Sequence, residues 1–203
     1  FRTVQKRWAD VMEKGGWAVQ YLSNHDSARQ VSCYGSDGEY RTRSAKLLGT
    51  LMHTTPGIPF IYQGEEIGMT NVKYESIADY QDCYTVGEYH SMVANGKDPD
   101  VALEALRPLS RDNARVPYQW NATENAGFTT GKPWMKVNPQ YTEINLEADL
   151  SSEDSIFRYY QQMIALRKTH PAILDGDLQF CDGDSTQLLA YTRSCPEETL
   201  LVI

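Results

Sequence analysis

The stretch Trp17-Ala18-Val19-Gln20-Tyr21-Leu22-Ser23-Asn24-His25-Asp26 passes without a break from an apolar run into a polar cluster. The apolar part is too short for an ordinary helix, and Gly15-Gly16 just ahead would end any helix running into it. It reads as a strand buried on both faces, the kind found in parallel sheets. Upstream, Val4, Trp8, Val11 and Met12 recur at helical spacing over residues 4–14. Downstream, a second helix is expected over 40–53, with Leu47, Leu48, Leu51 and Met52 as its apolar stripe. Pro56-Gly57 breaks that helix, and residues 58–62 repeat the short apolar strand. Helix, strand, helix, strand in this rhythm predicts an α/β fold built on a parallel sheet or barrel.

Between residues 63 and 150 the pattern loses its period and becomes rich in Asn, Gly, Pro, Tyr and Trp. A loop of that length inside a domain is usually functional. One helix is predicted within it, with Asp98 as N-cap, Pro99 at the first helical position, and Ala102, Ala105, Leu106 and Leu109 as its buried face. Ser151 and Asp154 have the spacing of a capping box for a further helix, with Ile156, Tyr160, Met163, Ile164 and Arg167 along one side. His170-Pro171 ends it. Residues 178–180, 188–192 and 199–203, with a turn at Asp182-Gly183, read as antiparallel strands. The change of period divides the chain into an expected barrel part, 1–172, and the start of a C-terminal β-domain, 173–203.

Nineteen basic against 27 acidic residues in 203 give a net charge of −8. Such a field repels phosphate backbones and anionic lipid, which argues against nucleic acid and membranes as partners. No apolar run approaches the roughly 18 residues of a membrane span. Cys33, Cys83, Cys181 and Cys195 are far apart and show no C-x-x-C pattern. Reduced thiols in a cytoplasm are expected, although the spacing leaves room for one disulfide. The chain lacks an initiator Met and ends in Leu200-Leu201-Val202-Ile203, so a piece of a longer protein is expected.

Asn24-His25-Asp26 carries the sharpest chemical signal. Catalytic groups of α/β barrels sit at the C-terminal ends of strands, which places this trio to meet a substrate. Asn and Asp also favour plain turns, and both readings stand. Glu65-Glu66 follows the second strand, but neighbouring residues point in different directions and cannot flank one glycosidic bond. A structural or capping role is expected for them. Arg111, Asp112 and Arg115 crowd one loop; guanidinium forks suit carboxylates or vicinal hydroxyls, and equally an ordinary surface ion pair. Trp120, Phe128 and Trp134 read evenly as a satellite core or as a platform for the apolar face of a sugar. Residues 127–133 imitate a phosphate loop with one spacer too few and Pro133 where Ser or Thr belongs. His25, His53, His90 and His170 show no metal-ligand spacing, so no metal and no cofactor are expected.

Ser23-Asn24-His25-Asp26 and Gly57-Ile58-Pro59-Phe60-Ile61-Tyr62-Gln63-Gly64-Glu65-Glu66-Ile67-Gly68-Met69 resemble the α-amylase family of glycoside hydrolases. Ser110-Arg111-Asp112-Asn113-Ala114-Arg115-Val116-Pro117-Tyr118-Gln119-Trp120 and Asn125-Ala126-Gly127-Phe128-Thr129-Thr130-Gly131-Lys132-Pro133-Trp134 narrow the likeness to the oligo-1,6-glucosidase and α-glucosidase branch. The resemblance implies the C-terminal part of a (β/α)8 TIM barrel, with strands seven and eight at residues 17–22 and 58–62. It makes Asp26 the catalytic carboxylate that stays ionised and binds the hydroxyls of the terminal glucose. His25 becomes a neighbouring donor to that sugar, and Arg111 closes the pocket on its far side. Arg115 is a less favoured candidate for that place, and Arg29 a weaker contact.

The same resemblance puts the nucleophile Asp and the acid/base Glu of a retaining glycosidase, roughly 5 Å apart, upstream of this chain. The 203 residues are therefore expected to be inactive alone and to need the rest of their own chain. The implied partner is a short oligosaccharide with terminal α-1,6- or α-1,4-linked glucose. Sucrose isomerases, trehalose-6-phosphate hydrolases and non-catalytic barrels of similar sequence are the alternatives. Cys33, Val116 and Tyr118 stand where such proteins commonly carry Arg, Thr and Met, at the expected entrance to the pocket.

Overall fold

Two short strands, β1 (Val19–Gln20) and β2 (Ile58–Pro59), run parallel in the computed structural model of the chain, Val19 opposite Ile58 and Gln20 opposite Pro59. The structure describes residues 1–203 except 182 and 184, so the turn expected at Asp182-Gly183 lies outside the described residues. The amides of Ile58 and Phe60 donate to the carbonyls of Ala18 and Gln20, both at 2.8 Å. Alternate donors thus face β1, and the N–H that Pro59 lacks falls on the other edge of β2, where it costs no bond in this ladder.

Helix α1 (Arg2–Met12) precedes β1, and α2 (Gln30–Tyr34) and α3 (Arg41–Thr54) lie between the strands in sequence. After β2 come α4 (Cys83–Ala94), α5 (Pro99–Leu106), α6 (Asp112–Arg115) and α7 (Leu146–Ser151), joined by irregular segments. Helices α8 (Ile156–Thr169) and α9 (Pro171–Asp175) lead into an antiparallel sheet of β3 (Asp177–Phe180), β4 (Tyr191–Ser194) and β5 (Thr199–Val202). Its central strand is β4, with Tyr191 opposite both Phe180 and Val202.

The chain forms two compact units. The first comprises Phe1–Tyr21, Gly49–Phe60 and Tyr159–Ile203 and holds both sheets. Ala18, Met52, Tyr160, Met163, Ile173 and Tyr191 are buried there, and the Thr54 and Tyr191 hydroxyls share a hydrogen bond of 2.6 Å. Arg193 is fully buried on β4 and donates to the carbonyls of Gly176 and Thr54; burial and the nearby Arg167 push its guanidinium down to about 10. The second unit comprises Leu22–Leu48 and Ile61–Arg158. Its core is built from the irregular segment itself: Ile67, Met69, Val72, Tyr74, Tyr80, Leu103, Val116, Tyr118 and Met135.

Several local expectations need correction. The ladder of β1 covers two residues, and Trp17, Val19 and Tyr21 are exposed, because among the described residues only β2 pairs with it. The stripe Val4, Trp8 and Val11 of α1 is also exposed, while Gln5 is buried and bonds the Gln20 side chain. Helix α3 runs one residue later than expected and buries Leu48 and Met52, with Leu47 outward. Helix α5 is capped by Asp98 as expected but buries Ala102, Leu103 and Leu106, leaving Leu109 in solvent. Ser151 closes α7 instead of opening α8. The α8 start is held by Asp149, which accepts from the amides of Ile156 and Phe157, and by Ser155.

Gly57 lies at φ +118° at the approach to β2, and a Cβ there would sit 2.5 Å from the Ala18 carbonyl oxygen. Only glycine meets that backbone without strain. Gly57→Ala in the full-length protein is expected to cost about 2 kcal/mol or more and to lower the thermal midpoint by several degrees. A midpoint within about 1 °C of wild type would show that the strand approach relaxes freely.

Candidate active site

The turn that follows β1 in sequence is organised by Asn24. Its Oδ1 accepts the Asp26 amide at 2.8 Å, its own amide donates to Ser27 Oγ at 2.8 Å, and its carbonyl accepts the Ser27 amide at 3.2 Å. This is an Asx turn, so the plain turn reading holds for Asn24. Asn24 commits its polar groups to the backbone and thereby leaves the side chains of His25 and Asp26 outward. The Asp26 side chain is 50% exposed. Its Oδ1 lies 2.5 Å from Arg115 Nη2 and 3.8 Å from Arg111 Nη1, and its Oδ2 lies 3.4 Å from His25 Nε2. Arg115 Nε also donates to the His25 carbonyl at 2.9 Å, tying the α6 loop to the turn.

Arg111 is aimed by a residue that sequence reasoning missed. The Asp82 side chain is fully buried and is the N-cap of α4. Its Oδ1 accepts from Arg111 Nε at 2.9 Å and Nη2 at 2.5 Å, and its Oδ2 from Thr85 Oγ1 at 2.8 Å. Burial disfavours the Asp82 charge. The hydrogen bonds from Arg111, Thr85 and the Tyr84 amide outweigh it and hold the carboxyl well below its ordinary value. The same hydrogen bond raises the Arg111 guanidinium above its usual value. Asp112 supports the arrangement from behind, with Oδ2 accepting the amides of Gln81 and Asp82 at 2.7 and 2.9 Å.

Arg29 is the correction among the expected substrate contacts. It is 1% exposed and donates to the carbonyls of Gln63, Asn113 and Ala114, with Tyr62 packed at 5.5 Å from its guanidinium carbon. Three of its donors are thus committed to backbone carbonyls, which holds loops together. Glu65 and Glu66 have structural roles, as expected. Glu65 accepts a hydrogen bond from Ser23, and Glu66 bonds the Gly64 amide and the Tyr118 hydroxyl. Burial raises the Glu65 carboxyl from its ordinary 4.5 to about 7, against the Ser23 bond and the Arg29 charge. Trp120, Phe128 and Trp134 are all exposed, which removes the satellite-core reading; Met135 enters the core instead. Among the described residues no cluster of three or more His, Cys, Asp or Glu is placed to hold a metal.

Arg115, Arg111 and His25 thus surround one exposed carboxylate on rigid supports, a constellation suited to gripping hydroxyls. A family profile described as "Alpha amylase, catalytic domain" matches residues 1–176. The chain belongs to the α-amylase family. It is 48% identical over 198 residues to an oligo-1,6-glucosidase of Parageobacillus thermoglucosidasius, a match covering 97% of this chain and 35% of that protein. The crystal structure of Bacillus licheniformis trehalose-6-phosphate hydrolase superposes with a TM-score of 0.94 at 45% identity, covering 98% of this chain and 36% of that one. Isomaltulose synthase from Erwinia rhapontici gives 0.92 at 39% identity, over 99% of this chain and 36% of that one. The chain therefore spans about a third of the length of these α-amylase family relatives. It is the C-terminal part of a TIM barrel followed by a short antiparallel sheet.

Because folding raises the Glu65 carboxyl from 4.5 to about 7, the folded state holds that proton more tightly than the unfolded one. The resulting stabilisation is fully present below 4.5 and is lost as pH rises through about 7. Glu65→Gln cannot ionise. Relative to wild type, its stability is expected to improve by up to about 3 kcal/mol between about pH 4 and about pH 8 in urea titrations of the full-length protein. Parallel pH profiles would show that Glu65 titrates as it does in the unfolded chain.

Proposed function

We propose that the full-length protein is a retaining α-glucosidase that removes terminal α-1,6- or α-1,4-linked glucose from short oligosaccharides. The observation that carries this reading is the exposed Asp26 carboxylate held between Arg115, Arg111 and His25. The close likeness to an oligo-1,6-glucosidase supports it. Asp26 accepts hydrogen bonds from two hydroxyls of the terminal glucose, and these strengthen as the ring flattens and gains positive charge in the oxocarbenium-like transition state. His25 donates to the same sugar. Arg115 and Arg111 hold the plane of the Asp26 carboxylate, and Arg111 closes the far side of the pocket. Arg29 acts one step back, as the post to which the surrounding loops are tied.

The nucleophile and the acid/base lie outside residues 1–203, so these residues alone are inactive and catalysis needs the remainder of the chain. Residues 1–172 supply strands seven and eight with the substrate-side loop, and 173–203 begin the C-terminal β-domain. Among the described residues Cys33, Cys83, Cys181 and Cys195 are unpaired, which suits a cytoplasmic location. Among the same residues no helix is long and apolar enough to cross a membrane. A second reading, trehalose-6-phosphate hydrolysis or sucrose isomerisation, draws on the likeness to such proteins. Product analysis with isomaltose, trehalose 6-phosphate and sucrose separates the three.

Asp26→Asn in the full-length protein is expected to lower kcat/KM on an aryl α-glucoside by about 1,000-fold or more, with the fold retained by circular dichroism. Turnover within a factor of a few of wild type would overturn the role given to Asp26, and an inactive wild type would favour a barrel that binds without catalysing. Asp82→Asn removes the charge that aims Arg111. It is expected to raise KM by roughly tenfold and to change kcat less, since it alters pocket closure more than the reacting centre. An unchanged KM would separate Arg111 from the substrate.

A further inference from the structure

Glu65 is a buried carboxyl that the sugar chemistry above leaves unused. It is 2% exposed, in the 3-10 turn Glu65–Ile67 that follows β2 in sequence. Its Oε1 accepts the hydrogen bond of Ser23 Oγ, itself buried, and its Oε2 has no partner among the described residues. Ser23 immediately precedes Asn24-His25-Asp26, so this bond fixes the point from which the Asx turn starts. Gly64, at φ +95°, brings the backbone tightly past the same place. A Cβ there would lie 2.5 Å from Met69 Sδ and 2.9 Å from Arg29 Nη1.

We propose that Glu65 is a positioning residue for the Asn24–Asp26 turn, acting through its hydrogen bond with Ser23, and that it thereby governs how Asp26 grips the sugar. The inference rests on the reading of Asp26 as the sugar-binding carboxylate. The neutral acid accepts from Ser23 and buries no charge. The ionised form puts a charge where Ser23 and the Tyr62 backbone serve a group able to accept about four hydrogen bonds. The groups that face it are Arg29 from the turn segment, Tyr62 and Glu66 from its own segment, and, through Glu66, Tyr118 from the segment after α6. Arg29 donates to the carbonyls of Gln63, Asn113 and Ala114, so it offers Glu65 attraction at a distance and no hydrogen bond. Glu66 opposes the charge. The ionised carboxyl therefore draws on Ser23 and Arg29, the two side chains that hold the ends of the turn. Burial raises this carboxyl to about 7, so its charge is tested across neutrality.

The test is the inhibition constant of glucose, a ligand without ionisable groups, measured on the full-length protein between about pH 5.5 and about pH 8.5. Wild type is expected to lose about threefold or more in glucose affinity through neutrality. Glu65→Gln keeps an acceptor for Ser23 and carries no charge, so its affinity is expected to stay flat over that range. Ser23→Ala cuts the link without touching the carboxyl. It is expected to bind glucose more weakly at every pH, with no step near neutrality. A Glu65→Gln profile that follows wild type overturns the proposal, and so does a step that survives in Ser23→Ala. If Glu65→Gln fails to fold, the Ser23→Ala profile decides alone. Asp26→Asn keeps the two readings apart: lost turnover there, with a step that persists in Glu65→Gln, sinks this proposal and leaves the sugar-binding role of Asp26 standing.

Discussion

The buried guanidinium of Arg29 is the constraint on which the candidate site depends. A long irregular segment can pack a core only if its buried carbonyls find donors, since an unpaired buried carbonyl costs about as much as a lost hydrogen bond. Arg29 supplies those donors from one rigid group to Gln63, Asn113 and Ala114, one before the Glu65 turn and two within α6. Its own charge is buried with it. Tyr62, Glu65, Glu66 and Tyr118 offset the cost of burial that lowers it from its usual value. The Asp26 turn, the Glu65 turn and α6 are thereby held at one point, and the exposed carboxylate keeps its arginine neighbours.

The same device recurs where regular structure is scarce. Arg41 donates to the carbonyls of Ile67 and Gly68, and Arg107 to that of Tyr74, within the unit that holds the site. In the other unit Arg193 and Arg167 serve Thr54, Gly176, His53 and Gly57. Carboxylates do the complementary work on amides: Asp82 at α4, Asp112 behind it, and Asp149 at α8. A net acidic chain thus keeps several of its arginines on backbone carbonyls, and Arg111 and Arg115 are two that remain at the candidate site.

What could be read from the sequence followed local rules. The Asp98 cap of α5 and the Asn24 turn rest on residues within a few positions of one another, and each strand on its own short run of residues. Helix α4 escaped because Thr85, Val86 and Gly87 are poor helix formers, and its start depends on Asp82, whose other role is with Arg111, 29 residues away. The α8 cap was misplaced because Ser151 and Asp154 satisfy a spacing rule that Asp149 and Ser155 satisfy in space. Arg29 and Glu65 were illegible for a stronger reason. Their meaning lies in pairings 34 to 85 residues apart, to backbone atoms and to a serine, and no side-chain pattern advertises those. The exposure of Trp17, Val19 and Tyr21 reflects the share of the barrel this chain contains.

Pinning loops through main-chain carbonyls has a consequence for how such a site diversifies. Every residue except its own side chain presents the same carbonyl, so the grip of Arg29 on positions 63, 113 and 114 is indifferent to what those positions, or the rim beyond them, carry. An exposed side chain such as Trp120 can be exchanged without loosening that hold, whereas Val116 belongs to the core it braces. Substrate range and mechanical support are thereby written in separate parts of the chain.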